Sequence, residues 1–345
     1  MLKANSSRGR LVIIALAGLL VTAVAAAAAL AAGGSSTKGR TFYFIPKDTL
    51  NPYEVIADHG GKLALTALGE KQVVSSGTED TAAAQQPAIQ AAIQSHAAGI
   101  VIAGNDPQAV CPALKQAQAQ GTKIVAFDSD VNCRQLFINQ ADTETIGRSQ
   151  VKLLAKLMGY KGQFAILSAA STATNQNAWI KYMKLELKKP RYKNMKLVKI
   201  YYGNDNPAQS RQATVAMLQA YPNLKGIESP TTVGISSAAQ YLSTSKKYKK
   251  KIVLTGLGLP SQMKKYVHDG TLKAFALWNP EDLGYLAGYA VSAFADGKIK
   301  GKVGETFKAG KLGTYKIILG PDKRPQVILG PPYVFTVKNV DKFKF

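Results

Sequence analysis

The sequence predicts an α/β fold of two doubly wound domains with a cleft between them, and three observations lead to that prediction. Short apolar β-forming stretches alternate with amphipathic helical stretches from 41 to 297, which is the pattern of parallel sheets covered by helices. The alternation falls into two successive sets that meet near Asp142. The chain has 345 residues, 46% of them hydrophobic, which is enough for two separate cores.

In the first set, the most informative strand is the stretch KIVAFDSD at 123–130. An apolar run of this length between turn signals is typical of a strand buried on both faces. Ligands of open α/β sheets bind at the carboxyl ends of such strands, so Asp128 is a candidate ligand-binding carboxylate. The alternative is an ordinary loop aspartate that caps the next turn.

The other elements of the first set follow from local patterns and turn residues. Asn51 and Pro52 are a helix cap and a first helical residue, and Pro87 suggests that the regular part of its helix begins near Gln86. We predict the remaining strands at 41–46, 71–74, 99–105 and 136–139, and helices at 52–69, 86–96 and from 106 onwards.

The second set repeats the alternation. Asn279 and Pro280 form a strong helix start, since two acidic residues follow them and complement the helix dipole. We predict strands at 164–169, 197–204, 226–230, 252–258 and 274–278. The helices are predicted at 142–160, 174–187, 206–222, around 235–242, 261–268 and 279–297.

The net charge of +23 is concentrated in the second half of the chain: residues 41–140 sum to −3 and residues 141–345 to +21. The lysines form runs at 184–196 and 246–251, without a recognisable nucleic-acid motif or interleaved aromatic residues. Solvated lysine faces explain these runs better than a nucleic-acid partner does. A weak attraction to an anionic envelope or a membrane partner remains open.

The N-terminus predicts export. A basic start is followed by an apolar run at 11–32, a small-residue cleavage pattern and a Gly/Ser tether, so 1–40 is interpreted as a signal peptide cleaved near Ala31 or Ala32. Because the run is 22 residues long, an uncleaved membrane anchor is the alternative. The absence of a nearby cysteine argues against a lipoprotein anchor.

The chain contains two cysteines, Cys111 and Cys133. An even cysteine count in an exported protein predicts a disulfide. The three histidines are scattered, and no motif for nucleotides, a phosphate-binding loop or a hydrolase nucleophile stands out. Gly256 and Gly258 lack the third glycine of a nucleotide fingerprint. We therefore expect no cofactor, no metal and no enzymatic activity.

Motifs spread over 41–345 carry a resemblance to a known family. They are FIPK, NPY, GNDP, CPALK, FDSDV, INQ, TNQNAW, ESPTT, GLGLP, ALWNP and VFTVKNVDKF. This set resembles the type I periplasmic sugar-binding proteins of ABC transporters, in the branch of rhamnose-binding and autoinducer-2-binding receptors.

The resemblance implies two Rossmann-like lobes joined by three hinge strands that close on a ligand. The hinges are expected near Gln140, near Trp278–Asn279 and just beyond Gly297. The N-terminal lobe then comprises 41–140 with 279–297, and the C-terminal lobe comprises 141–278 with 298–345.

The resemblance also implies ligand-binding residues, because six contact positions of the autoinducer-2 receptors can be matched here. They fall on Lys47, Asp128, Asn175, Gln176, Pro230 and Thr232. An acid is replaced by an amide at 175 and an alanine by threonine at 232, which brings this chain closer to the rhamnose-type receptors. Aromatic side chains that could stack on a sugar are Tyr53, Trp179 and Trp278.

Together these features predict an exported solute-binding protein, located in the periplasm or on the outer face of the cell membrane. It would be a monomer that captures rhamnose or a related deoxysugar and delivers it to an ABC permease, with membrane contact through the permease or the uncleaved anchor. One alternative is an autoinducer-2 receptor or a sensor that presents its ligand to a signalling partner. A secreted glycosidase, which would need paired carboxylates, is the other.

Overall fold

Two parallel β-sheets covered by helices form the core of residues 39–345, the part of the chain that this computed structural model describes. The predicted α/β fold of two doubly wound lobes is therefore confirmed. The predicted signal peptide and its apolar run at 11–32 lie outside the described residues. Between residues 39 and 345, none of the helices is long and apolar enough to cross a membrane.

The first lobe contains a seven-stranded sheet. Its strands are β1 (Thr41–Ile45), β2 (Lys71–Val74), β3 (Gly99–Ile102), β4 (Lys123–Phe127), β5 (Leu136–Asn139), β13 (Ile318–Leu319) and β14 (Pro325–Ile328). Their order in the sheet is β13-β14-β5-β4-β3-β1-β2, and only the β13–β14 pair is antiparallel. The helices on this sheet are α1 (Pro52–Ala67), α2 (Ala82–Gln94), α3 (Cys111–Ala119) and α9 (Pro280–Ala295). A hairpin of β11 (Thr306–Lys308) and β12 (Thr314–Lys316) lies beside α9.

The strands of the second lobe are β6 (Gly162–Ser168), β7 (Met195–Tyr202), β8 (Leu224–Ser229), β9 (Val253–Gly256), β10 (Ala274–Leu277) and β15 (Tyr333–Thr336). Four of them form a parallel sheet of order β7-β6-β8-β9. A parallel bridge from Leu257 to Ala276 joins this sheet to β10, whose antiparallel partner is β15. The helices are α4 (Thr143–Met158), α5 (Thr174–Leu187), α6 (Pro207–Ala220), α7 (Thr232–Thr244) and α8 (Pro260–His268).

The chain passes between the two sheets three times. The first two passages follow β5 and β10, at residues 140–142 and 278–279. The third lies at 329–332, between β14 of the first sheet and β15 of the second, and not just beyond Gly297 as predicted.

The predicted lobe boundary for 298–345 is corrected accordingly, because 318–328 pairs with β5 in the first lobe. Only the part from β15 onwards joins the second sheet. A short antiparallel hairpin has no helix after it, so the alternation of strands and helices gives no sign of which sheet it joins.

Two helix starts also differ from the predictions. Helix α2 begins at Ala82, because the Thr81 side chain accepts a hydrogen bond from the Ala84 amide and caps it, and Pro87 lies inside the helix. Helix α3 begins only at Cys111, because the carboxylate of Asp106 accepts hydrogen bonds from two following amides and forms a turn.

Helices α1 and α9 approach closely, and this packing positions part of the cleft. A Cβ added to Gly284 would lie 1.7 Å from the Ala57 carbonyl oxygen, and one added to Gly60 would lie 1.9 Å from that of Glu281. Only glycine permits this separation of the two backbones. The middle of α1 is thereby fixed against the first turns of α9, which begins three residues after β10.

Candidate functional site

One cavity between the two lobes is lined by all nine residues that the sequence analysis predicted as ligand contacts. They are Lys47, Tyr53, Asp128, Asn175, Gln176, Trp179, Pro230, Thr232 and Trp278. The space left inside the cavity is about 30 Å³, which is roughly enough for two water molecules. The lining side chains therefore meet closely across it.

The lining residues come from the carboxyl ends of strands in both sheets. In the first lobe, Lys47 follows β1, Tyr53 lies in the first turn of α1 and Asp128 follows β4. In the second lobe, α5 begins after β6 and α7 begins after β8, and both helices contribute side chains from their first turns. This is the edge at which open α/β sheets bind ligands.

Asp128 is the centre of the polar contacts. One of its carboxylate oxygens accepts a hydrogen bond from the Tyr53 hydroxyl at 2.9 Å, and the other accepts one from Asn175 Nδ2 at 3.0 Å. The Lys47 ammonium nitrogen lies 3.7 Å from the same carboxylate. The contact with Asn175 crosses the cleft, because Asp128 belongs to the first lobe and Asn175 to the second.

The backbone at Asp128 is unusual, since its φ angle is +55°. A residue other than glycine adopts this left-handed conformation at a cost, and such strained residues cluster at functional sites. Its amide donates to the Ile138 carbonyl oxygen at 3.3 Å. The surrounding contacts therefore hold the carboxylate in a fixed position.

Lys47 is buried, with 3% of its surface exposed. Burial by itself lowers the pKa of this lysine, but the carboxylates around it, led by Asp128, outweigh burial and raise the pKa above its ordinary value. Asp80 and Asp205 add to this effect. Lys47 is consequently a fixed cation and a hydrogen-bond donor at neutral pH.

Aromatic side chains form one wall of the cavity. The ring centroids of Trp179 and Trp278 are 5.8 Å apart with an interplanar angle of 60°, and those of Tyr53 and Trp278 are 6.3 Å apart and perpendicular. The Trp278 indole nitrogen donates a hydrogen bond to the Tyr53 hydroxyl at 2.7 Å. The rings are thus held in place by hydrogen bonding as well as by packing.

Gln176 has a fixed orientation. Its Oε1 accepts hydrogen bonds from the Ser168 hydroxyl at 2.6 Å and from the Ala169 amide at 2.8 Å. Because Oε1 is occupied in this way, Nε2 is the atom left to donate to a ligand oxygen.

The start of α7 brings a second set of donors to the cavity. Pro230 and Thr232 line it there, and the first amides of a helix have no partner within the helix. Thr231, the residue before the helix, donates its hydroxyl hydrogen to Asp205 instead of capping the helix.

Six lining residues were not predicted from the sequence: Asn51, Glu54, Asp205, Thr231, Leu257 and Leu277. The sequence identified Asn51 only as the cap of α1. The structure confirms that cap and also places Asn51 at the cavity. Glu54 lies next to Tyr53 in the first helical turn, so its proximity to a predicted contact was the available signal. Asp205 has no signal in the sequence beyond its position in a loop before α6.

Glu54 and Asp205 are carboxyl groups with perturbed ionisation. Burial, and then the neighbouring Asp128, raise the pKa of Glu54 well above its usual range, and its Oε2 is buried without a hydrogen-bond partner. Burial also raises the pKa of Asp205 to about 7, against the opposing effect of Lys47. The raised pKa favours the protonated form of Glu54, and a protonated carboxyl group can donate a hydrogen bond.

Cys111 and Cys133 form a disulfide, with their Cα atoms 5.5 Å apart. It joins the start of α3 to the loop that follows β4, the same loop that carries Asp128. Across residues 39–345, no group of three or more histidine, cysteine, aspartate and glutamate side chains is placed to hold a metal ion.

A cavity enclosed by the strand ends of two lobes, with the chain passing between them three times, defines a two-lobed ligand-binding protein. Residues 42–299 match the periplasmic binding protein domain family. The chain belongs to the periplasmic binding protein family. Members of this family bind solutes outside the cytoplasm and are not enzymes, so the predicted family and the prediction that the chain is not an enzyme are both confirmed.

Solved structures show the same similarity over nearly the whole chain. An ABC transporter solute-binding protein of Clostridium phytofermentas with bound L-rhamnose is 38% identical, with a TM-score of 0.86 and coverage of 88% of this chain and 98% of the other. A sugar ABC transporter protein of Actinomyces odontolyticus is 44% identical, with a TM-score of 0.70 and coverage of 91% and 100%.

A curated relative is similar over a shorter stretch. The D-apiose import binding protein of Actinobacillus succinogenes is 26% identical over 179 residues, which are 51% of this chain and 57% of the relative. The match thus spans little more than half the length of that relative.

Proposed function

We propose that this protein is the exported solute-binding component of an ABC transporter, and that it captures a small sugar by closing its two lobes. Rhamnose or a related deoxysugar is the proposed ligand, and a membrane permease is the partner that receives it. The nine residues named above are the proposed ligand contacts, supplemented by Glu54, Asp205 and Thr231.

The observation that carries this proposal is the direct contact of the two lobes around a polar cavity. Asn175 Nδ2 of the second lobe donates to Asp128 of the first at 3.0 Å, and the Thr172 hydroxyl donates to the Asn105 carbonyl oxygen at 2.8 Å. Closure of the lobes excludes water from the cavity, so the hydrogen bonds made there are strengthened.

The chemistry of the lining supports a sugar. Carboxylate and amide oxygens accept hydrogen bonds from hydroxyl groups, while Lys47 and Gln176 supply donors to sugar oxygens. The indoles of Trp179 and Trp278 offer apolar surfaces to the C–H bonds of a ring. The similarity to an L-rhamnose-bound protein at 38% identity supports a deoxysugar in particular.

Thermal unfolding in the presence of a panel of monosaccharides tests the proposal. A ligand that binds only the folded state raises the melting temperature as its concentration rises above its dissociation constant. We expect L-rhamnose or a related deoxysugar to give the largest increase, and isothermal titration to confirm one site per chain. A panel in which no monosaccharide raises the melting temperature would refute the proposal.

A further inference from the structure

The loop that carries Asp128 is held by an arginine that lies 196 positions later in the chain. Arg324 Nη1 donates to the carbonyl oxygens of Val131 at 3.2 Å and Asn132 at 2.9 Å. Arg324 Nη2 donates to Asp130 Oδ2 at 3.0 Å. One guanidinium therefore contacts three residues of a single short loop.

Arg324 lies between the two strands of the β13–β14 hairpin. A second arginine, Arg134, also binds the loop to this hairpin. Arg134 binds Asp130 through two nitrogens, at 2.9 and 3.1 Å, and donates to the Pro325 carbonyl oxygen at 2.5 Å. Asp322 joins the two arginines, since its Oδ2 lies 3.1 Å from Arg134 Nη2 and 2.6 Å from Arg324 Nε. Charge-assisted bonds of this kind are stronger and more directional than neutral ones.

The position of this cluster relates it to the cavity and to the passage between the lobes. Asp130 is separated from the strained Asp128 by one residue. The hairpin of β13 and β14 leads directly into the third passage at 329–332, which contains two prolines. A conformation such as that of Asp128 persists only when surrounding contacts enforce it.

We propose that Arg324 is a positioning residue for the ligand site: it fixes the 128–133 loop against the hairpin and thereby holds the Asp128 carboxylate at the cavity. Arg324 does not line this cavity, although it lines the adjoining cleft together with Asn175 and Trp179, and we assign its effect on the site to the loop. The inference rests on the proposed ligand-binding role of Asp128.

Arg40 provides a matched control. It lies in the same lobe, pairs with two carboxylates, those of Glu70 and Asp296, and has a side chain that is 20% exposed against 32% for Arg324. It contacts neither the loop nor the cavity. The variants Arg324→Met and Arg40→Met each remove one guanidinium with two ion pairs, so both should lower the melting temperature.

Only Arg324→Met should weaken binding of the sugar found in the thermal panel, by about tenfold, as expected for the loss of charge-assisted hydrogen bonds. Arg324→Lys keeps the charge and should recover part of that affinity. In the double variant with Asp130→Asn, the losses should be less than additive, because both changes break the same contact.

Amide hydrogen exchange of the 128–133 loop gives a readout that needs no ligand. It should accelerate in Arg324→Met and stay unchanged in Arg40→Met. Unchanged exchange and affinity in Arg324→Met, or equal effects of both methionine variants, would overturn the proposal. If wild type binds no sugar, the proposed function is wrong. The amide hydrogen exchange rates of the 128–133 loop then still show whether Arg324 holds that loop in place. Should Arg324→Met not fold, Arg324→Lys is compared with Arg40→Lys in both measurements.

Discussion

Asn175 Nδ2 donates a hydrogen bond to Asp128 Oδ2 at 3.0 Å, and this contact joins the two lobes across the cavity. The other carboxylate oxygen of Asp128 is bound by the Tyr53 hydroxyl, which in turn accepts from Trp278. A continuous set of hydrogen bonds thus runs from the second lobe through Asp128 to the segment that links β10 and α9. Closure and ligand binding are expected to depend on each member of this set.

Replacing Tyr53 with phenylalanine removes the middle of that set. The change leaves a buried indole N–H and a carboxylate oxygen without their partner, so sugar affinity should fall about tenfold. Isothermal titration measures the loss. Tyr43→Phe is the control, since Tyr43 lies in the core of the first lobe away from the cavity, and equal affinities of the two variants would contradict the prediction.

Glu54→Gln should bind sugar nearly as well as wild type, because the amide keeps the shape and the donor of the neutral acid. Glu54→Leu should bind about tenfold more weakly. Since burial and Asp128 raise the pKa of Glu54, wild-type affinity should decrease as the pH rises through that pKa, whereas affinity of Glu54→Gln should lack this decrease.

The control for Glu54 is Glu228→Gln, because Glu228 is also buried with a raised pKa but does not line the cavity. It should leave sugar affinity and its pH dependence unchanged. Equal affinities of Glu54→Leu and wild type would show that Glu54 makes no contact with the ligand.

The disulfide between Cys111 and Cys133 closes a loop with a sequence separation of 22. Replacing both cysteines with serine should lower the free energy of unfolding by about 3 kcal/mol, according to the loop-entropy estimate. Titration of the unfolded, unreduced protein should find no free thiol. Two reactive thiols per chain would exclude the disulfide in the isolated protein.

Asp58 should make the stability depend on pH. Burial raises its pKa from 3.8 to about 8, so the folded protein keeps a proton that the unfolded chain releases. The stabilisation is complete below the unfolded pKa and is lost as the pH rises through the folded pKa.

Asp58→Asn should therefore be more stable than wild type at a pH near the folded pKa of Asp58, about 8, and should differ little in stability at a pH near the unfolded pKa of 3.8. Urea unfolding at both pH values measures the difference. Glu79→Gln, a change at an exposed position, is the control and should have the same stability as wild type at both pH values. If the free energies of unfolding of Asp58→Asn and wild type differ by the same amount at both pH values, the raised pKa of Asp58 does not make the stability depend on pH, and the prediction is wrong.

The sequence was most informative where a strand ends. The apolar run before Asp128 identified β4 and its carboxyl end, because burial on both faces requires such a run. It could not indicate the φ angle of +55° at Asp128 or the bond to Tyr53, since both depend on contacts between residues far apart in the chain.

Glu54 and Asp205 were missed for the same reason. An acid in the first turn of a helix is usually explained by the helix dipole, and only the folded structure reveals that Glu54 is buried at the cavity. The third passage between the lobes was misplaced because the hairpin of β13 and β14 is short and contains no helix. Its pairing with β5 is a tertiary property that the local pattern does not encode.

The ligand preference should depend on Asn175 and Thr232. At 175 an amide supplies a donor to Asp128, where the autoinducer-2 receptors that this chain resembles have an acid. Asn175→Asp would place two carboxylates next to each other across the cleft, which disfavours closure. Thr232 is buried at the cavity, and its methyl and hydroxyl groups narrow the space that an alanine would leave.

We therefore expect wild type to prefer a pyranose such as rhamnose over autoinducer-2. The double variant Asn175→Asp, Thr232→Ala should bind the pyranose about ten- to a hundredfold more weakly, since a buried hydrogen-bond partner is lost, and should gain affinity for the furanosyl signal. Isothermal titration of both proteins with both ligands measures this. Asn177→Asp, an exposed change on the same helix, controls for added charge and should bind like wild type. If wild type binds autoinducer-2 more tightly than every pyranose tested, the roles assigned to Asn175 and Thr232 are wrong.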